Sequence, residues 1–93
     1  MSYSPVAIVT GAARGIGLAT TKRFIGAGWR VAMVDRDAPE LAQASEPLTD
    51  VLPLSYDVSV PEQVEAMVAD TLAEWGPIDA LINNAGVADF GPI

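Results

Sequence analysis

The feature that most constrains the fold of this chain is a glycine-rich turn between an apolar run and a helix-like segment. The apolar run covers residues 6–9, and glycine follows at positions 11, 15 and 17. Gly11 can adopt backbone angles that a side chain disfavours, Gly15 has no Cβ to block an anion, and Gly17 lets the helix lie close to the strand. Amide groups at a helix N-terminus lack intrahelical partners and carry the positive end of the dipole. The turn is therefore typical of a phosphate site.

Two better-known phosphate-binding patterns do not match this turn. A Walker A loop counted from Gly11 would need glycine at the position of Ile16, followed by lysine. The commoner dinucleotide pattern, counted from Gly15, would need glycine or alanine where Thr20 stands. A tight turn that binds no ligand is the alternative left open at this point.

Four short apolar runs alternate with three polar or amphipathic stretches, which predicts the order βαβαβαβ. The predicted strands cover residues 6–10, 30–35, 51–56 and 78–83. The apolar runs of the first, second and fourth strands do not alternate with polar residues, as expected for parallel strands covered on both faces. Pro53 interrupts the third strand and favours a position at the rim of the sheet. With right-handed crossovers, we expect a Rossmann-type doubly wound parallel sheet of order 3-2-1-4.

Each connection between these strands predicts a helix of different length. The first helix should cover residues 15–27, with Gly28 as a left-handed C-cap. Prolines on either side restrict the second helix to about residues 41–44. Ser59 and Glu62 have the spacing of a capping box at the start of the third helix, which Gly76 should end.

The composition excludes several kinds of site. A chain of 93 residues with 51% hydrophobic and 18% charged residues is expected to form one small globular domain. Because it contains no cysteine and no histidine, it offers no disulfide, no thiolate ligand or nucleophile, and no imidazole base.

The charge is unevenly distributed along the chain. The net charge is −7, but residues 1–36 hold all five basic side chains and residues 37–93 hold eleven of the twelve acids. The basic residues are few and interleaved with apolar ones, which argues against a nucleic-acid partner. No apolar run approaches the length of a membrane span, so we expect no membrane partner and a cytoplasmic location.

An acidic residue closes the second predicted strand. Asp35 lies 18 residues beyond Gly17, about where a dinucleotide-binding fold presents a carboxylate to the adenosine ribose. Such a carboxylate suits NAD, because the 2′-phosphate of NADP would meet like charge. Arg14 and Arg36 are possible partners of a 2′-phosphate, so NADP remains the less favoured alternative. A solvated strand end is the interpretation of Asp35 without a ligand.

Polar or small residues also follow the third and fourth predicted strands. Asp57 could accept a hydrogen bond from an adenine amino group while the N–H of Val58 bonds a ring nitrogen, but an Asx turn is nearly as good an interpretation. The fourth strand ends in Asn83-Asn84-Ala85-Gly86, where small residues allow a close approach to a ribose and the amides can connect neighbouring strands.

These motifs together resemble the short-chain dehydrogenase/reductase family, and the resemblance covers nearly the whole chain. The residues that carry it are Thr10, Gly11, Gly15, Gly17, Asp35, Asp57, Val58, Asn83, Asn84, Ala85 and Gly86. It implies an NAD-dependent oxidoreductase that moves hydride to or from a small-molecule alcohol or carbonyl and assembles as a homo-oligomer, a dimer or tetramer.

The resemblance also implies a role for each matched residue. Four of them would line the pyrophosphate, namely Gly11, Arg14, Ile16 and Gly17. Asp35 would hold the adenosine ribose, and Asp57 with Val58 would frame adenine. Three would lie beside the nicotinamide ribose, namely Asn83, Ala85 and Gly86. Asn84 would connect strands, and the loop with Phe90 would pass near the substrate.

One departure from the family pattern limits what can be carried over. The family uses a serine and a Tyr-x-x-x-Lys pair, yet the tyrosines here are followed four positions later by Ala7 and Val60. No catalytic residue is assigned for this reason. An apolar fourth strand at an uncovered rim further suggests that residues 1–93 are the N-terminal part of one NAD(P)-binding domain. A stand-alone redox-sensing module, and a site for a flavin or a methyl donor, are the competing hypotheses.

Overall fold

The computed structural model describes residues 3–85, which form four strands and three helices in strict alternation. The strands are β1 (Val6–Thr10), β2 (Arg30–Val34), β3 (Val51–Leu54) and β4 (Ala80–Asn83). The helices are α1 (Gly15–Gly26), α2 (Ala38–Ser45) and α3 (Pro61–Trp75). The predicted order of elements is confirmed.

All four strands are parallel and lie in the order β3-β2-β1-β4, as predicted for a doubly wound sheet. Thr10 is level with Val34 on one side and with Asn83 on the other. The carboxyl ends of the strands therefore meet at one edge, which we call the carboxyl edge. The opposite edge, where Val6 and Ala80 begin their strands, is the amino edge.

Two apolar clusters cover the two faces of the sheet. On one face, Val9 and Met33 pack with Leu41 of α2 and with Leu18 and Phe24 of α1. On the other, the core residues are Ile8, Ala32, Val34 and Met67, with Val64, Val68 and Trp75 of α3 packed against them. All five residues of β1 are buried, so the central strand has the continuous apolar pattern of a strand covered on both sides.

The rim strands are less well covered. Pro53 lies in β3, which is at one rim of the sheet. Its missing N–H is tolerated there, because β3 has a partner strand on one side only. At the other rim, Leu81 of β4 is 56% exposed. The predicted strand ends were one or two residues too long, because Asp35, Ser55, Tyr56, Ile78 and Asp79 lie outside the ladders.

Three predictions about the helices need revision. Helix α1 ends at Gly26, and Gly28 (φ +91°) follows the C-cap residue Ala27 instead of being the cap. The N–H of Gly28 bonds to Ile25 O, and the N–H of Trp29 bonds to Phe24 O, both at 3.0 Å. These two bonds make a Schellman motif, so the left-handed glycine was predicted correctly but the cap is one residue earlier.

Helix α2 is twice as long as the prediction because Pro39 lies in its first turn, where proline is tolerated. The prediction of a capping box for α3 was wrong. Val60 is the N-cap without a side-chain bond, and Ser59 donates to Asp57 instead. None of the helices formed by residues 3–85 is long and apolar enough to cross a membrane.

Candidate functional site

A cleft of about 570 Å³ opens at the carboxyl edge, between the ends of the strands and the start of α1. This volume lies within the range of small-molecule and cofactor sites. Nine of the ten predicted site residues line it: Gly11, Arg14, Ile16, Gly17, Asp35, Asp57, Val58, Asn83 and Ala85. The tenth, Gly86, lies outside the described residues, as does Phe90.

The glycine turn forms the floor of the cleft, and close packing explains two of its glycines. A Cβ on Gly17 would overlap the carbonyl group of Gly11. The observed packing of α1 against the turn therefore requires glycine at position 17. Gly11 has φ +63°, and a Cβ there would lie 3.1 Å from the backbone N and Cα of Ala85. The turn is therefore held between α1 and the segment that follows β4.

At the start of α1, amide groups without a partner among residues 3–85 line the cleft. Arg14 is the N-cap in extended conformation, and its side chain makes no cap bond. Within residues 3–85, no acceptor bonds the N–H groups of Gly15, Ile16 or Gly17. Because the positive end of the helix dipole adds to these donors, this part of the cleft suits an anion.

Asp35 lies beside this turn and is oriented by backbone donors. Its Oδ2 accepts a hydrogen bond from Ala13 N at 3.1 Å, and its Oδ1 accepts one from Asp37 N at 3.0 Å. A carboxylate has about four acceptor positions, so each oxygen can still accept another hydrogen bond. The carboxylate is thus fixed in place with acceptor capacity left for a hydroxyl-bearing ligand.

Arg14 makes a contact that the sequence did not reveal. Its Nη2 lies 2.6 Å from Oδ2 of Asp37, the N-cap residue of α2. This bond raises the pKa of the Arg14 guanidinium, and the N–H of Glu40 together with Arg14 holds the pKa of Asp37 below its usual value. The Asp-x-x-Glu spacing at 37–40 could have indicated the cap. The ion pair joins two loops that are distant in the sequence, so no local sequence pattern indicates it.

Asp57 forms the Asx turn that the sequence allowed as an alternative. Its Oδ1 accepts from Ser59 Oγ at 2.7 Å and from Ser59 N at 2.9 Å, and these bonds lower the pKa of the carboxyl. Its backbone N–H donates to Gln63 Oε1 at 2.6 Å. Val58 packs partly against the apolar cluster under α3. Both residues nevertheless line the cleft.

At the end of β4 it is Asn83, not Asn84, whose side chain connects the strands. Thr10 Oγ1 donates to Asn83 Oδ1 at 2.8 Å and accepts from the backbone N–H groups of Asn84 (3.0 Å) and Ala85 (3.3 Å). Thr10 and Asn83 are level in neighbouring parallel strands, which brings their side chains to the same face. Among residues 3–85 the Asn84 side chain makes no such connection, so its expected role as the strand-connecting residue stays a prediction.

The amide nitrogen of Asn84 has a different position. It is buried, and no acceptor among residues 3–85 bonds it. Asn84 also lines the cleft. A buried amide donor without a partner is unusual in a folded protein and is expected to meet water or a ligand.

Aromatic side chains contribute to packing more than to the cleft. Phe24 and Trp29 make an edge contact with ring centroids 4.8 Å apart, and Trp75 packs under α3. These three belong to the packing of the domain. Tyr56 does line the cleft, where its hydroxyl donates to Asp70 Oδ2 at 2.6 Å. Within residues 3–85, no group of three or more acidic side chains is arranged to hold a metal ion.

Comparisons with known proteins agree with this architecture. The chain is 42% identical over 89 residues to 2-(R)-hydroxypropyl-CoM dehydrogenase of Xanthobacter autotrophicus, covering 90% of this chain and 36% of that enzyme. It superimposes on 3-ketoacyl-(acyl-carrier-protein) reductase of Brucella melitensis, complexed with NADH, with TM-score 0.78 and 35% identity, covering 83% of this chain and 32% of that one.

A second solved structure is similar in the same way. A short chain dehydrogenase/reductase of Burkholderia phymatum in complex with NAD gives TM-score 0.82 and 29% identity, over 84% of this chain and 29% of that one. The chain thus spans about a third of the length of these relatives. The family model of the short chain dehydrogenases matches residues 5–93. The chain therefore belongs to the short-chain dehydrogenase family.

Proposed function

We propose that this chain is the NAD-binding part of an oxidoreductase that transfers hydride between the cofactor and a small-molecule carbonyl or secondary alcohol. The observation that carries the proposal is the cleft at the carboxyl edge, where the Asp35 carboxylate lies beside helix amides that have no acceptor within the described part of the chain. In this proposal the amides of residues 15–17 bind the diphosphate and Asp35 accepts from the hydroxyls of the adenosine ribose.

The residues present fit such a cofactor in two further respects. A Cβ built on Gly15 meets no atom within 4 Å, so the space above the turn is open for a phosphate group. Asn84, whose buried amide nitrogen has no acceptor among residues 3–85, also lines the same cleft. An unphosphorylated ribose is favoured over that of NADP, because a 2′-phosphate beside Asp35 would place like charges together.

The residues that this sequence contains suit binding of the cofactor and not catalysis. The bound nicotinamide supplies the hydride-transfer chemistry. The residues of this chain bind and orient the cofactor, and neither tyrosine is followed by lysine four residues on. We therefore expect the 93-residue chain alone to be inactive and residues 1–93 to be the N-terminal part of one NAD(P)-binding domain. A cytoplasmic homo-oligomer belongs to the same proposal.

Titration of the chain with NADH tests this function. We expect a change in NADH fluorescence that saturates, and competition by NAD. Binding of a flavin or of an activated methyl donor without any NADH response would contradict the proposal. A stand-alone redox-sensing module is the second hypothesis, and it would bind NADH equally well. It would be favoured if a longer form of the protein binds NADH yet turns over no alcohol or carbonyl.

A further inference from the structure

The pair of Arg14 and Asp37 spans the part of the cleft that contains Asp35. Arg14 is the N-cap residue of α1, Asp37 is the N-cap residue of α2, and both residues line the cleft. Asp35 lies between the two loops, since its oxygens accept from the backbone N–H groups of Ala13 and Asp37. The ion pair and Asp35 therefore form one connected group of charges on one side of the cleft.

Asp37 uses its two oxygens for different purposes. Oδ1 accepts from Glu40 N at 3.2 Å and caps α2, while Oδ2 accepts from Arg14 at 2.6 Å. The cap fixes the carboxylate, so the position at which it meets the guanidinium is set by the start of a helix. Arg14 is held by an anchored partner, although both side chains are accessible to solvent.

Arg14 and Arg36 are the only basic side chains among the described residues that line the cleft. A 2′-phosphate carries about two negative charges near neutral pH and is normally recognised by arginine. Arg36 is exposed, and its charge acts on Asp57. The charge of Arg14 interacts with that of Asp35, but the Arg14 guanidinium is already engaged by Asp37. A 2′-phosphate at Asp35 would have to compete with Asp37 for this cation.

We propose that Asp37 is a second determinant of cofactor choice, which disfavours NADP by holding Arg14 away from a 2′-phosphate. The inference rests on the proposed function and goes beyond Asp35. Asp35 acts by direct repulsion, whereas Asp37 acts by occupying the cation that would offset that repulsion. Removing the Asp37 charge should therefore favour NADPH through Arg14.

The test compares the dissociation constants of NADH and NADPH for the full chain and its variants by cofactor fluorescence. In Asp37→Asn the amide oxygen can still cap α2, so the ion pair is lost while the helix start is kept. We expect the affinity for NADPH relative to NADH to rise about tenfold, the scale for one charge several ångströms from another near a protein surface. Asp37→Ser, which also retains a capping oxygen, provides a second variant should the first fold poorly.

Glu40→Gln is the matched control. It removes one negative charge from the same turn of α2, and Glu40 acts on Arg14 through space without bonding it. We expect a shift of about threefold or less in the NADPH preference, because a solvated charge without a bond is more strongly screened. An equal shift in Glu40→Gln and Asp37→Asn would overturn the inference in favour of a general charge effect.

An Arg14→Ala background separates a role through Arg14 from a structural one. There, Asp37→Asn should no longer change the NADPH preference, because the cation that Asp37 engages is absent. A preference that is unchanged by Asp37→Asn in the otherwise native chain, or a shift that persists without Arg14, would overturn the inference while leaving NADH binding intact. Failure of the native chain to bind either dinucleotide would overturn the proposed function and this inference with it.

Discussion

Asp35 at the carboxyl edge and Asp79 at the amino edge both accept hydrogen bonds from the backbone of a neighbouring segment. Asp79 Oδ2 accepts from Val6 N at 2.9 Å and from the Tyr3 hydroxyl at 2.5 Å, and it holds the start of β1 against β4. Asp35 instead divides its bonds between two oxygens and lines the cleft. The same side chain thus completes the fold at one edge and presents acceptors to a ligand at the other.

The contrast shows why the two edges differ in function. At the carboxyl edge, the chain turns from a strand into a helix through glycines, and the N–H groups of residues 15–17 have no acceptor among residues 3–85. At the amino edge, two backbone donors are paired with neighbouring segments: Val31 N bonds Asp50 O at 3.0 Å and Asp79 N bonds Val6 O at 2.8 Å. The donors of residues 15–17 are thus available to a ligand at the carboxyl edge.

The largest effect is expected from a substitution that disrupts the packing of the turn at the carboxyl edge. Gly17→Ala places a Cβ against the Gly11 carbonyl, so the turn has to move. We expect stability to fall by about 3 kcal/mol, as for severe overpacking, and NADH binding to be lost. Gly26→Ala is the control, because a Cβ there meets nothing within 4 Å and alanine should stabilise the helix by about 0.5–1 kcal/mol. Urea unfolding measures both, and equal stability of the two variants would contradict the packing argument.

The next effect comes from replacing each of the two aspartates by asparagine. Asp35→Asn should reduce the affinity for NADH about 10- to 100-fold, because charged hydrogen bonds to ribose hydroxyls are replaced by weaker neutral ones. Asp79→Asn should leave the affinity of the folded chain unchanged and lower its melting temperature. NADH titration and thermal unfolding of the two variants measure this difference. A similar loss of affinity in both would show that the edges are not functionally distinct.

The amino edge also predicts a dependence of stability on pH. The bonds from Tyr3 and Val6 lower the pKa of Asp79 below its ordinary value of 3.8. The bond between Tyr3 and Asp79 also raises the pKa of Tyr3 above 10.0. Since the folded pKa of Asp79 is depressed, its contribution to stability is present above 3.8 and is lost as the pH falls through the folded value. The contribution of Tyr3 is present below pH 10.0 and is lost as the pH rises through its raised pKa.

Unfolding measured between pH 6 and pH 2 compares the native chain with Asp79→Asn and Tyr3→Phe. Asp79→Asn should remove the acid loss that belongs to this carboxyl. Tyr3→Phe should remove only part of it, because the bond from Val6 N remains. An acid loss of stability that is the same in all three proteins would contradict the role assigned to Asp79.

The smallest effect concerns the Asx turn beside the cleft. Ser59→Ala removes the hydroxyl bond to Asp57 but keeps the backbone bond, so the pKa of Asp57 should rise part of the way toward its ordinary value. An NMR titration of the carboxyl carbon detects this shift. Ser55→Ala, at an exposed position after β3, is the control and should leave the Asp57 titration unchanged.

The order of the sheet could be predicted because it depends on local patterns. Continuous apolar runs indicated parallel strands, and one proline placed β3 at the rim. The shape of the turn followed from glycines whose roles are steric. Errors arose where one side chain had two possible partners, as when Ser59 bonds Asp57 instead of capping α3.

Contacts between distant segments could not be predicted from local patterns. The choice between Asn83 and Asn84 depends on strand register, which places Asn83 level with Thr10. The bond between Arg14 and Asp37 joins residues 23 positions apart, and its formation depends on how the two loops meet. The candidate site was therefore predicted as a set of residues, while the pairing within it required the structure.

We propose that the turn before α1 binds a dinucleotide at the carboxyl edge. Titration of the 15N-labelled chain with NADH, followed by two-dimensional NMR, is the sharpest test of this proposal. We expect the largest changes in amide shift at Gly15, Ile16 and Gly17, while amides at the amino edge such as Val6 hardly change. Saturable binding that shifts the amino edge or the outer face of α1 and leaves residues 15–17 unchanged would contradict it.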